Sequence, residues 1–289
     1  MNIDIRDKPA LSNEDILSLN FIKRPSPYFF RNHYREGLRS RLMQVLDPGD
    51  VAREATGVVQ DGMRFFPVAQ PLAMFRIFKK KFSSVGEIQK EIDNYKLVQQ
   101  YLPESHYAIS SEFMVDYIRE NQKTILLCGI QEYVPGEALD PWHENALLKF
   151  ESVFHKFPKE VLETATQNLA SFIDGIKQMV GQSGFIPDLA GVGNLILTSR
   201  GEIKIVDINN ISEVSYTAHI PVDDKGYPVS DKSIQAIFQL ERQVLRRSTV
   251  ADETLYRFFL QPQRMKDVKE LEIHFHQVVA NSGNYPAVG

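Results

Sequence analysis

Gly184-Phe185-Ile186-Pro187-Asp188-Leu189-Ala190-Gly191-Val192-Gly193-Asn194 runs a glycine-rich loop with one acid into Leu195-Ile196-Leu197-Thr198-Ser199-Arg200-Gly201-Glu202-Ile203-Lys204-Ile205-Val206-Asp207-Ile208-Asn209-Asn210. Residues 195–198 and 203–206 are short apolar segments around the turn Ser199-Arg200-Gly201, the pattern of a β-hairpin. A hairpin here brings Asn194, at the start of the first strand, beside Asp207, at the end of the second. One carboxylate and one amide oxygen at the open end of a hairpin form a hard-oxygen site suited to magnesium and its bound phosphates.

Working outward, residues 161–180 place Leu162, Ala165, Leu169, Phe172, Ile173, Ile176 and Met179 at three- and four-residue spacing, which predicts a long helix leading into the Asp188 loop. Upstream, residues 57–59 and 63–68 flank Asp61-Gly62, a tight hairpin turn, and residues 72–78 form a further strand. Ile88, Ile92, Tyr95, Val98 and Tyr101 make residues 85–101 an amphipathic helix, ended by Leu102-Pro103. Strands follow at 112–118 and 124–133. Before them, the chain start has a helix signal at Ser12-Asn13-Glu14-Asp15, then Pro25-Ser26-Pro27 and a charged segment to Leu46, and reads as an extension packed on the body. Beyond the hairpin, Asp223-Asp224-Lys225-Gly226 is a surface turn. Helices are predicted at 232–245, after the cap residues Ser230 and Asp231, and at 253–260 and 265–280.

Strands, one helix and two more strands closing on Gln131-Glu132-Tyr133-Val134-Pro135-Gly136, followed by the Asp188, Asn194 and Asp207 constellation, resemble the protein-kinase-like superfamily over residues 55–210. The nearest branch is that of the aminoglycoside phosphotransferases and choline kinases. The resemblance implies a two-lobed α+β fold: an N-terminal extension (1–50), a small β-rich N-lobe with one main helix (51–133) and a larger helical C-lobe (134–289), with a Mg-ATP site between the lobes. It implies that Asp188 accepts the proton of a hydroxyl acceptor, that Asn194 and Asp207 hold Mg2+, and that Glu132, Tyr133 and Val134 offer main-chain groups to adenine.

A kinase-like N-lobe also has a strand lysine on the phosphates, held by a helix glutamate. Aligning Met74-Phe75-Arg76-Ile77-Phe78-Lys79 with the family's Val-Ala-Ile-Lys signature puts Arg76 at that place and Lys79 three positions on, facing the other way by strand alternation. Glu91 is the first choice for the glutamate and Glu87, one turn earlier, the alternate. The expected pair is Arg76 with Glu91. The chain departs from the family pattern in having five residues rather than four between Asp188 and Asn194, Ile186 where histidine is usual, and Asp207-Ile208-Asn209 for Asp-Phe-Gly. A two-glycine phosphate loop is not recognisable, Gly57, Gly62 and the 47–50 turn being the candidates. Two functions follow from the resemblance. One is transfer of the ATP γ-phosphoryl group to an unidentified hydroxyl on a small molecule or protein; the other is a pseudokinase serving as a nucleotide-binding or protein-interaction module. A third reading leaves the hairpin purely structural in a non-kinase α+β protein.

A formal charge of −4 and a pI near 6.0 give no global electrostatic case for nucleic acid or an anionic membrane. The one basic run, Lys79-Lys80-Lys81, reads as a solvated strand end. Aliphatic runs such as 125–130 are too short to span a bilayer, and the first residues lack a signal peptide's apolar core, so a cytoplasmic protein with no membrane span is expected. Cys128, the only cysteine, permits neither an intramolecular disulfide nor a thiolate metal cage.

Overall fold

A computed structural model describes residues 3–281 apart from 35, 36, 38 and 249. The protein is mixed α+β and divides into two compact units, Met1–Glu91 with Ile109–Tyr133, and Ile92–Ala108 with Val134–Gly289.

The first unit is built on an antiparallel sheet of five strands, β1 (Phe29–Asn32), β2 (Ser40–Leu46), β5 (Ala73–Phe78), β6 (Ser110–Arg119) and β7 (Gln122–Gln131), in the order β1-β2-β5-β7-β6. One face is mainly apolar by alternation: Phe75 and Ile77 of β5 lie with Met43 and Val45 of β2 and Leu126 and Cys128 of β7. Ile5, Leu11, Ile16 and Leu19 of the chain start join the same cluster. Ile16 belongs to helix α1 (Asn13–Leu17), opened by a capping box in which Ser12 and Asp15 satisfy each other's backbone N–H.

Residues 29–46, which read from sequence as part of an extension, are therefore two strands of the sheet, and β2 is an inner one. Its inward positions include Arg41, which is buried and donates to the carbonyls of Arg6 and Pro9. A charged residue on the buried face hides the period of two from a hydrophobicity reading.

Helix α2 (Pro48–Thr56) and a separate two-stranded ribbon, β3 (Val58–Gln60) and β4 (Met63–Phe65), lie between β2 and β5 in the chain. The expected Asp61-Gly62 turn is present, with φ of 51° and 79°, as a primed hairpin turn requires. Helix α3 (Val85–Tyr101) spans the predicted residues and starts in this unit.

In the second unit, helix α5 (Lys159–Ser183) is the central element, preceded by the short strand β8 (Glu137–Ala138) and helix α4 (Ala146–Val153). Leu169, Phe172, Ile173, Ile176 and Met179 of α5 are fully buried, each contributing about 1.5–3 kcal/mol of apolar burial for its larger side chains. The helix ends at Gly184 and passes at once into β9 (Phe185–Pro187). Strands β10 (Leu195–Leu197) and β11 (Ile203–Ile205) pair antiparallel as predicted, while β12 (Ile211–Glu213) pairs with β9.

Helices α6 (Val229–Gln243), α7 (Thr254–Phe259) and α8 (Pro262–Asn281) complete the unit near their expected places. Ser230 and Asp231 are not caps. They sit inside the first turn of α6, fully buried, and Asp231 is bound by Arg264 of α8 through two hydrogen bonds. Among the described residues, no helix is long and apolar enough to cross a membrane.

Candidate functional site

The β10–β11 hairpin is pinned at its closed end. Gly201, at φ +79°, lies so close to α5 that a Cβ there would stand 3.0–3.1 Å from Ala165, and Asn168 of α5 donates to the Gly201 carbonyl at 2.9 Å. The pairing Leu195↔Ile205 continues one step further, because Val206 N–H donates to Asn194 O at 2.9 Å. Asn194 and Asp207 consequently start at the same open end of the hairpin.

Asp188 is held there by the neighbouring β9–β12 pair. Its N–H donates to Asn210 O at 2.8 Å, extending the ladder from Ile211↔Pro187. Its carboxylate accepts from Ala190 N–H through Oδ1 and from Asn210 Nδ2 through Oδ2, each at 3.0 Å. Asn194 Nδ2 donates to Asp188 O at 3.1 Å, which ties the two ends of the glycine loop together despite its extra residue. Burial, and then the Asp207 charge nearby, push the Asp188 carboxyl up from 3.8 to about 6, against the pull of the Ala190 and Asn210 hydrogen bonds. Asp188, Asn194 and Asp207, expected together from sequence, therefore share one neighbourhood.

Further residues support the loop. Trp142 donates from Nε1 to Ala190 O at 2.8 Å, and Ser233 of α6 accepts from Leu189 N–H at 3.0 Å. Lys232 lies over the Trp142 ring at 4.0 Å from its centroid and pairs with Glu272 at 2.9 Å. Trp142 lies ahead of α4, which begins at Ala146. Asn210 was legible only as the last polar residue after the hairpin. Its role depends on β9 and β12 being paired, which three-residue strands do not announce.

Magnesium keeps several of its waters and takes one or two carboxylates beside substrate phosphates. Asp207 with the amide oxygen of Asn194 fits that donor set, because the Asn194 bond to Asp188 uses Nδ2 and leaves Oδ1 for a cation. Among the described residues there is no group of three or more His, Cys, Asp or Glu placed to hold a metal.

In the first unit the expected basic pair is replaced by two others. Arg76 is bound not by Glu91 but by Glu112 of β6, at 2.5 Å, both side chains being 3% exposed. The register decides this, since Arg76 and Glu112 both stand opposite Gly129 of the intervening β7, and a Cβ at 129 would meet Glu112 Oε1 at 3.2 Å and Arg76 Nε at 3.5 Å. Glycine leaves the two side chains room to meet over the strand, where a Cβ would crowd the Glu112 carboxylate. Glu91 instead pairs with Lys80, at 2.5 Å, the lysine being 48% exposed. Lys80 shares the strand parity of Arg76 and Phe78, which was the sequence signal for it. Lys79 donates to Gly37 O at 2.9 Å, in the connection between β1 and β2.

The candidates for a phosphate loop all have local structural uses. Asp47 caps α2 through the N–H groups of Gly49 and Asp50, Gly57 ends that helix, and Gly62 makes the ribbon turn. At the predicted hinge, Glu132 N–H already donates to Ile109 O at 2.8 Å, and its carboxylate accepts from Ile109 N–H at 3.2 Å.

No family model matches the chain, and a comparison with curated proteins gave no match.

Proposed function

We propose that this protein is a kinase-like phosphotransferase that moves the γ-phosphoryl group of ATP to a hydroxyl acceptor. What carries the reading is the Asp188 carboxylate, fixed by Ala190 N–H and Asn210 Nδ2 beside the open end of a hairpin that starts with Asn194 and ends with Asp207. Asp188 orients the acceptor hydroxyl and takes its proton as the new oxygen–phosphorus bond forms and the bond to the ADP oxygen breaks. A base raised toward neutrality suits that task. Asn194 and Asp207 are the residues that would hold Mg2+, which neutralises charge on the phosphates. Lys80, steadied by Glu91, takes the phosphate-binding part first assigned to Arg76. The order of three strands of the five-stranded sheet, α3, the sheet's other two strands and the hinge sequence supports the same resemblance.

A second reading, a pseudokinase that binds nucleotide without transfer, is favoured by one observation. Arg76, at the place the family gives to its lysine, is sequestered by Glu112. Incubation with labelled ATP, magnesium and a broad extract tests both. Transfer should yield a labelled product that disappears in Asp188→Ala while ATP binding persists, since that residue acts on the acceptor. Binding without transfer to protein, sugar or lipid establishes the pseudokinase, and absence of nucleotide binding refutes both.

A further inference from the structure

The first unit encloses a cavity of about 620 Å3, within the range of about 300–1,000 Å3 occupied by small-molecule sites. Its floor is the apolar sheet face, with Phe30, Val45, Ala73, Phe75 and Phe113, and its wall is the chain segment 21–28, led by Phe21 and Ile22. Leu72 and Ile130, 58% and 41% exposed, stand at the rim. Elsewhere on this face the core is closed by Ile5, Leu11, Ile16 and Leu19. At the cavity Phe30, Val45 and Phe75 are also nearly buried, and the open apolar surface belongs to the residues around them.

The lining contains one charged side chain, Lys23. Its ammonium has no carboxylate or hydrogen-bond partner among the described residues, whereas the neighbouring Arg24 is occupied by Leu17 O. Of the lining hydroxyls, Ser26 is engaged with the backbone of Tyr28. An apolar cavity of this size offers water few of the two to four polar partners it needs. Its accessible apolar groups, on Tyr28, Leu72, Phe113 and Ile130, suit an apolar chain, and the unpaired cation suits an anionic head.

We propose that this cavity binds a long-chain monocarboxylate, its chain laid along Phe113, Ile130 and Leu72 and its carboxylate paired with Lys23. The cavity is lined by the first unit alone, whereas Asp188 belongs to the second, and the proposal does not rest on the phosphotransfer reading.

The test is calorimetric titration of the full chain with octanoate, dodecanoate and hexadecanoate below their micelle concentrations, with methyl hexadecanoate and phosphatidylglycerol vesicles as further arms. Saturable one-to-one binding is expected, tightening by up to about fourfold per added methylene. Lys23→Glu should weaken hexadecanoate at least tenfold and leave the methyl ester unchanged, and Lys23→Arg should retain binding. Ala73→Phe, which fills the floor, should abolish it; Lys23 is exposed, so its variants remain readable even if Ala73→Phe does not fold. The proposal is overturned by absence of saturable binding, by affinity independent of chain length, by equal sensitivity of acid and ester to Lys23→Glu, or by association with vesicles alone.

Discussion

Replacing Asp188 by asparagine removes the one carboxyl whose environment opposes its charge most clearly. Its folded value is about 6 against an ordinary 3.8, so between those values the folded state holds a proton that the unfolded chain has lost. The sign follows from linkage: stability falls as pH rises through this window, and the loss is complete above the folded value. Two pH units at about 1.4 kcal/mol each amount to about 3 kcal/mol, with little discount for solvent because the residue is 8% exposed. Asp188→Asn lacks this titration. In urea unfolding with EDTA present, the stability difference between variant and wild type should therefore shift by about 2 kcal/mol in the variant's favour between pH 4 and pH 7, the larger part of the full change. Other carboxylates titrate in both proteins and cancel. Any altered hydrogen bond to Asn210 or Ala190 gives a constant offset, so the slope is the quantity to read. A difference that stays flat across this interval would refute the account of Asp188 as a buried acid beside Asp207.

Glu112→Ala strands the Arg76 guanidinium in the first unit and should cost about 3–5 kcal/mol in chemical denaturation, whereas the double replacement Arg76→Met with Glu112→Leu should be near neutral; comparable losses for both would contradict the buried pair. Lys80→Ala should change stability by no more than about 1 kcal/mol, since the lysine of the pair with Glu91 is half exposed. Its effect should appear in calorimetric Mg-ATP affinity, as a loss of roughly tenfold or more for one charged hydrogen bond, and an unchanged Kd would remove Lys80 from the phosphates.

Local periodicity carried much of this protein by itself. The 3.6-residue pattern of α5, the two apolar segments around Ser199-Arg200-Gly201 and the Asp61-Gly62 turn are recorded in consecutive residues, because a helix face or a hairpin is made by the chain against its own near neighbours. The closeness of Asn194 and Asp207 was legible for that reason. Pairings across the sheet were not. Arg76 finds Glu112 only because β7, with Gly129, comes to lie between β5 and β6, and Glu91 finds Lys80 only because α3 returns toward the end of β5. Residues 29–46 became sheet rather than extension because partners far along the chain accepted Arg41 in a buried row. The grip of Asn210 on Asp188 has the same origin, since it exists only once β9 and β12 have paired. Hydrogen-bond partners and buried charges belong to strand order and register, which are settled by contacts between distant segments rather than by any short stretch of sequence.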